Sequence, residues 1–182
     1  MSKRKNYGKS KKNKRANRPP IKYKNYRNIR ANIQAVIDGE YNTKEKIKTQ
    51  GEVFTSFNLI EEMLNKLPKD VWSNPTKTWL DPAAGIGNFH CVVVERLMER
   101  LSDWEPNEEK RYKHIIENQL YFVEINPESV AITKRLFNPQ QKYKMNLVCA
   151  DFLDEKHPGW DDVGHMWNAE NKRIRNIKHK FF

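Results

Sequence analysis

Three acids stand where apolar runs end. Asp81 follows KTWL (77–80), Glu124 lies in LYFVEI (120–125), and Asp151 follows MNLVC (145–149). After the first acid come two glycines, Gly85 and Gly87, in DPAAGIGNF (81–89). Glycine lets a ligand approach the backbone closely, and a helix beginning at Asn88 presents free N–H groups to a carboxylate or phosphate. An acid at the end of a second strand can accept both hydroxyls of a ribose, and a third acid can accept from an exocyclic amine such as that of adenine. Singly, each acid has a plainer role: Asp81 as a turn cap, Glu124 as a surface ion pair, Asp151 as a loop opener. Together, at three successive run ends, they fit one nucleoside-containing ligand.

The elements that must position these residues follow from apolar spacing. Residues 31–38 (ANIQAVID) predict a short helix ended by Gly39. Residues 57–67 place Leu59, Ile60, Met63, Leu64 and Leu67 at helical spacing, with Pro68 as the stop. Residues 77–80 read as a strand, the glycine turn follows, and residues 91–101 read as a helix through Val93, Val94, Leu97 and Leu101. A polar stretch at 109–117 has helical character. The run 120–125 is a second strand, Pro127 opens a helix carrying Val130, Ala131, Leu136 and Phe137, and 145–149 is a third strand. Three β–α or β–loop units in succession predict an α/β fold, a parallel sheet with helices on both faces and ligands beyond the carboxyl ends of its strands.

Charge divides the 182-residue chain into unlike parts. The formal net charge is +11, yet residues 1–30 hold 13 Lys and Arg and no acid, residues 31–163 hold 16 bases against 22 acids, and residues 164–182 hold five bases against one acid. This predicts a basic arm (1–30), an acidic body (31–163) and a basic tail (164–182). The arm has few aliphatic residues and is expected to be disordered or extended when free. Its cations favour a polyanion through counterion release, and Tyr7, Tyr23 and Tyr26 suit stacking on unpaired bases. Nucleic acid such as DNA, or a ribosome-like polyanion, is thus an expected partner through residues 1–30, with a solubilising tail as the plainer role. No apolar run approaches the roughly 18 residues of a membrane span, so a cytoplasmic location, in a bacterium or a virus-infected host cell, is expected. Cys91 and Cys149 lie in apolar runs and read as small core residues, and neither they nor the five histidines have metal-ligand spacing.

The segments GEVFTS (51–56), DPAAGIGNF (81–89), FVEINP (122–127) and CADFLD (149–154) resemble, in order and spacing, the cofactor-binding half of class I S-adenosylmethionine-dependent DNA methyltransferases that act on the exocyclic amine of adenine. The resemblance covers roughly residues 47–155. It implies a Rossmann-like sheet and S-adenosyl-L-methionine as cofactor. It implies Asp81, Ala83, Ala84, Gly85 and Gly87 around the methionine part, with Phe54 and Thr55 at its end. Glu124 is implied on the ribose, Ile125 against the adenine, and Asp151 and Phe152 at the adenine amine and ring face. Ser56 stands where the family has a proline.

The family's Asn/Asp/Ser-Pro-Pro-aromatic motif, which holds the target amine after a fourth strand, has no counterpart. The chain's one Pro-Pro pair, Pro19-Pro20, lies in the basic arm. In that family strand one is central, with strands two and three on one side and strand four on the other. The resemblance therefore implies a fold truncated after the third strand, with a second chain supplying the remaining strands and the catalytic motif. A catalytically inactive nucleic-acid-binding module, or a remnant of a split methyltransferase, is the alternative expectation.

Overall fold

The computed structural model describes residues 26–41, 54–153 and 180–181. Most of the basic arm and of the basic tail lies outside the described residues, as do Trp160, Met166, Trp167 and three of the histidines.

Three short parallel strands build the sheet: β1 (Trp79–Asp81), β2 (Leu120–Glu124) and β3 (Asn146–Cys149), in the order β1-β2-β3. The register pairs Asp81 with Phe122 and Glu124 with Cys149. Two backbone bonds carry the pairing past the strand ends, Ala84 N–H to Val123 O (2.9 Å) and Ala150 N–H to Glu124 O (3.0 Å). The chain reaches β2 from β1 through α3 (Asn88–Arg100) and α4 (Glu108–His114), and β3 from β2 through α5 (Pro127–Phe137). Ahead of the sheet lie α1 (Ile29–Val36) and α2 (Phe57–Leu64). This is an α/β, Rossmann-like arrangement, as the order of apolar runs predicts, although among the described residues α1 to α5 all pack on one face of the sheet where helices on both faces are expected.

Strand alternation divides the core. Trp79, Leu120, Phe122 and Leu147 join the large cluster that α1 to α5 build on one face of the sheet. The intervening Leu80, Tyr121, Val123 and Val148 face the other way and form a second cluster with Ala150 and Phe152. On that face the helical residues Lys180 and Phe181 meet Tyr121, Phe181 edge-on at 5.2 Å and Lys180 Nζ 2.7 Å from the phenol oxygen. Among the described residues no helix is long and apolar enough to cross a membrane.

Most element ends shift from the sequence reading by one to three residues, and three differences bear on the core. α1 begins at Ile29, inside the expected basic arm, because Ile29 and Ile33 are core residues and Arg30 is ion-paired to Glu95 (2.5 Å) and Glu61 (2.7 Å). Gly39 does not end it: the chain continues as a π-helical turn over Ile37–Tyr41. α2 stops at Leu64, and of its five apolar positions only Ile60 and Leu64 are buried, while Leu59 (48% exposed) and Met63 (49%) face outward. Apolar positions at 59, 60, 63 and 64 span two adjacent helix faces, and spacing alone does not say which face the core takes.

Candidate functional site

The carboxyl ends of β1 and β2 open onto a cleft of about 480 Å³. Phe54 and Thr55 line it from the segment before α2; Asp81, Ala83, Ala84 and Gly85 line it from the turn after β1; Glu124 and Ile125 line it from the end of β2. Three further lining residues, Asn88, Phe89 and Asn126, lie inside the same motifs, although the resemblance assigns them no ligand contact. Gly87, Asp151 and Phe152 are not among the lining residues.

Local chemistry explains the cleft's shape. Asp81 Oδ1 accepts from Ala83 N–H (3.1 Å), which starts the turn, and Gly87 N–H to Ala84 O (2.8 Å) closes it. Gly85 has φ +53°, a left-handed conformation that costs a residue with a Cβ. Its peptide is clamped from two elements: its N–H donates to Glu124 Oε2 (2.7 Å), and its carbonyl accepts from the buried Thr133 hydroxyl of α5 (3.1 Å).

Glu124 is the hinge of this geometry. It is only 7% exposed, and its second oxygen, Oε1, accepts from Asn126 N–H (2.7 Å). One carboxylate therefore ties the glycine turn to the loop that follows β2. Each oxygen keeps a lone pair beyond its backbone bond, which is the acceptor pattern a vicinal diol needs. Ile125 beside it is 64% exposed and offers an apolar surface.

Gly87 serves packing. A Cβ there would lie 2.5 Å from Phe137 Cε2, and its φ is +94°. The glycine lets the start of α3 sit against α5. Asn88, the first residue of α3, is buried; its side-chain N–H donates to Thr55 O (3.3 Å), while Oδ1 has no partner among the described residues. Ser56, at the family's proline position, is the N-cap of α2, where Oγ accepts from Leu59 N–H (3.4 Å) and the Ser56 carbonyl accepts from Ile60 N–H (3.0 Å). That cap fixes the chain direction of Phe54 and Thr55 as they enter the cleft.

Asp151 lies two residues past the end of β3 and accepts from Leu153 N–H (2.8 Å), an Asx turn at the strand end. Phe152, implied by the resemblance on an adenine face, is half-buried and packs with the cluster of Val123, Val148 and Ala150 on the second sheet face.

His90, read from sequence as structural, sits directly beneath the turn. It is buried, its ring stacks on Phe122 (3.9 Å between centroids), Nε2 lies 3.4 Å from Trp79 O, and Nδ1 lies 4.0 Å from Asp81 Oδ2. Burial pushes its pKa below the ordinary histidine value, against the pull of the Asp81 carboxylate. Next to it Cys91 is buried, and burial pushes its thiol far up, so it is a core residue and not a nucleophile. Only tertiary contact could single out His90 and Thr133, since neither lies in a ligand-like pattern. Among the described residues no group of three or more His, Cys, Asp or Glu is placed to hold a metal ion.

No family model matches the chain. A protein of Mycoplasma pneumoniae bearing the name "Uncharacterized adenine-specific methylase" is 34% identical over 87 residues, which is 46% of this chain and 21% of that protein. The chain thus spans about a fifth of the length of the curated relative it matches.

Proposed function

We propose that this chain is the S-adenosylmethionine-binding part of a methyltransferase that acts on the exocyclic amine of adenine in DNA. The observation that carries the reading is the Glu124 carboxylate, held at the end of β2 by Gly85 N–H and Asn126 N–H at the floor of the cleft.

The residues present fit such a cofactor. Glu124 would accept the ribose hydroxyls, and Ile125 would pack on the adenine. Asp81, Ala83, Ala84 and Gly85 would surround the methionine part. Asn88 Oδ1, buried and without a partner among the described residues, is an acceptor free to take a donor such as an ammonium N–H. When bound, the sulfonium supplies an already activated methyl group, so this chain needs to orient the donor and shield it from water. Glu124 and Ile125 fix the nucleoside end, and the clamped Gly85 peptide fixes the turn. Asp151, beyond the lining residues, stands at the neighbouring strand end where it would meet the adenine amine.

The target amine would be held elsewhere. The Pro-Pro-aromatic motif of the resembling family is absent from the sequence, so a second chain or a further segment would supply it together with the strands beside β1. The basic residues ahead of α1 would hold DNA.

Calorimetry with S-adenosylhomocysteine tests the proposal. A saturable heat is expected from the whole chain and is expected to fall at least about tenfold in Glu124→Gln. Glutamine is not a conservative change here, because both carboxylate oxygens accept backbone N–H bonds and an amide must turn a donor toward one of them. A folded chain that takes up no S-adenosylhomocysteine would overturn the reading.

A further inference from the structure

The amino end of the sheet, opposite the cleft, carries a second cavity of about 440 Å³. Its walls come from the last turn of α5 and from the loop that leads into β3, and they include three cations, Lys134, Arg135 and Lys144. No carboxylate lines it.

The surrounding acids are already used. Glu109 pairs with Lys142 (3.5 Å), and Glu117 lies 4.0 Å from Lys113 while accepting the Lys144 backbone N–H (3.0 Å). Among the described residues no carboxylate pairs with Lys134, Arg135 or the Lys144 ammonium. Arg135 Nε is buried and has no hydrogen-bond partner among the described residues. A guanidinium donor kept from bulk water without an acceptor is costly, and an anionic oxygen is the partner that removes the cost.

A helix C-terminus attracts cations through its dipole, which accounts in part for Lys134 and Arg135. It does not account for Lys144, which is on the loop, nor for three charges at one cavity against the roughly half charge of a helix end. The loop is also held in shape. Asn138 donates to Tyr143 O (2.6 Å) and accepts from Tyr143 N–H (3.2 Å), and Gln141 adopts φ +53° with its N–H on Asn138 O (3.0 Å). A fixed loop keeps Lys144 and Tyr143 opposite the end of α5.

The geometry points to a binding site for a phosphate-bearing nucleotide unit at this cavity, separate from the cleft. Lys134, Lys144 and the guanidinium of Arg135 hold the phosphoryl oxygens. Pro139, Tyr143 and Met145 provide apolar and aromatic surface for the remainder. A free nucleotide and a nucleotide within a nucleic-acid strand present the same chemistry.

The test follows the Arg135 Nε–H resonance in the whole chain while inorganic phosphate, adenosine monophosphate or a short single-stranded DNA is added, with sodium chloride at matched ionic strength as control. Saturable movement is expected with adenosine monophosphate, and Lys144→Gln, an exposed loop change, is expected to weaken it about tenfold with S-adenosylhomocysteine binding unchanged. An equal response to inorganic phosphate supports the site with the phosphoryl group alone as its ligand. A response to DNA alone supports it with the strand as source. No saturable movement with any probe, or movement that sodium chloride reproduces, or no effect of Lys144→Gln on it, overturns the proposal. Because the readout is at Arg135, failure here leaves the cofactor reading of the cleft untouched.

Discussion

At the scale of single residues, the glycines and the buried histidine divide the labour of the turn. Gly85 is needed by the cleft and Gly87 by the core, although they look alike in sequence. Gly87→Ala would press a methyl group on the Phe137 ring and strain a residue at φ +94°. It is expected to cost about 1–3 kcal/mol, read from urea denaturation. Phe137→Leu in the same chain should recover only the steric share of that loss. His90 carries a pH signature whose sign is fixed by its lowered pKa. The unfolded chain takes up the proton near the ordinary histidine value of about 6.5, and the folded chain only below that. Stability from neutral His90 is therefore complete above about pH 6.5 and declines as pH falls toward the folded pKa. Thermal melts across that window should show the decline, and His90→Leu should flatten it. A variant whose melting temperature keeps the full pH slope would remove His90 as the cause.

At the scale of elements, α1 joins a basic segment to an acidic body. Its inner face, Ile29, Ile33 and Val36, is buried, and Arg30 forks onto Glu95 with Nε at 3.0 and 3.1 Å. The Glu95 bond, together with Glu61, raises the Arg30 pKa further above its already high value, so the guanidinium stays charged at any ordinary pH. Removing residues 1–25 is expected to leave the melting temperature nearly unchanged, whereas removing residues 1–30 takes away Ile29 and Arg30. The second deletion should cost about 2–5 kcal/mol from the isoleucine alone. Two melting curves decide between a boundary at 25 and one at 30. The sequence placed that boundary at 30 because composition registers charge, and Arg27 and Arg30 count as basic whether or not they are paired. It placed β2 and α5 almost to the residue, since an unbroken apolar run and a proline at the first helical position are local signals. The π-helical turns at Ile37–Tyr41 and Ile115–Gln119 have no such signal, because they arise where a helix end adjusts to its neighbours.

For the molecule as a whole, the basic excess and the cleft fall in different parts of the chain. If residues 1–25 hold DNA, their removal should reduce DNA affinity and flatten its dependence on salt, by a slope of roughly 0.7–0.9 for each phosphate no longer neutralised. S-adenosylhomocysteine binding, measured on the same protein, should be unchanged; a loss of both would mean that the arm and the cleft are not independent. Much of this organisation was readable from the residues alone: the succession of strands and helices along the chain, acids at strand ends and separated charge are local or additive properties, and periodicity and composition report them directly. Which partners those residues meet was not. That Glu124 bridges two loops, that Gly87 is filled by Phe137, that Phe152 turns to the second face of the sheet, and that three cations line one cavity at its far end depend on residues distant in sequence meeting at fixed distances. Close packing decides such meetings, because side-chain volume and direction must be satisfied for all neighbours at once. The sequence by itself determined the fold class and the residues that close its strands; only the tertiary structure decided which of them share a cleft.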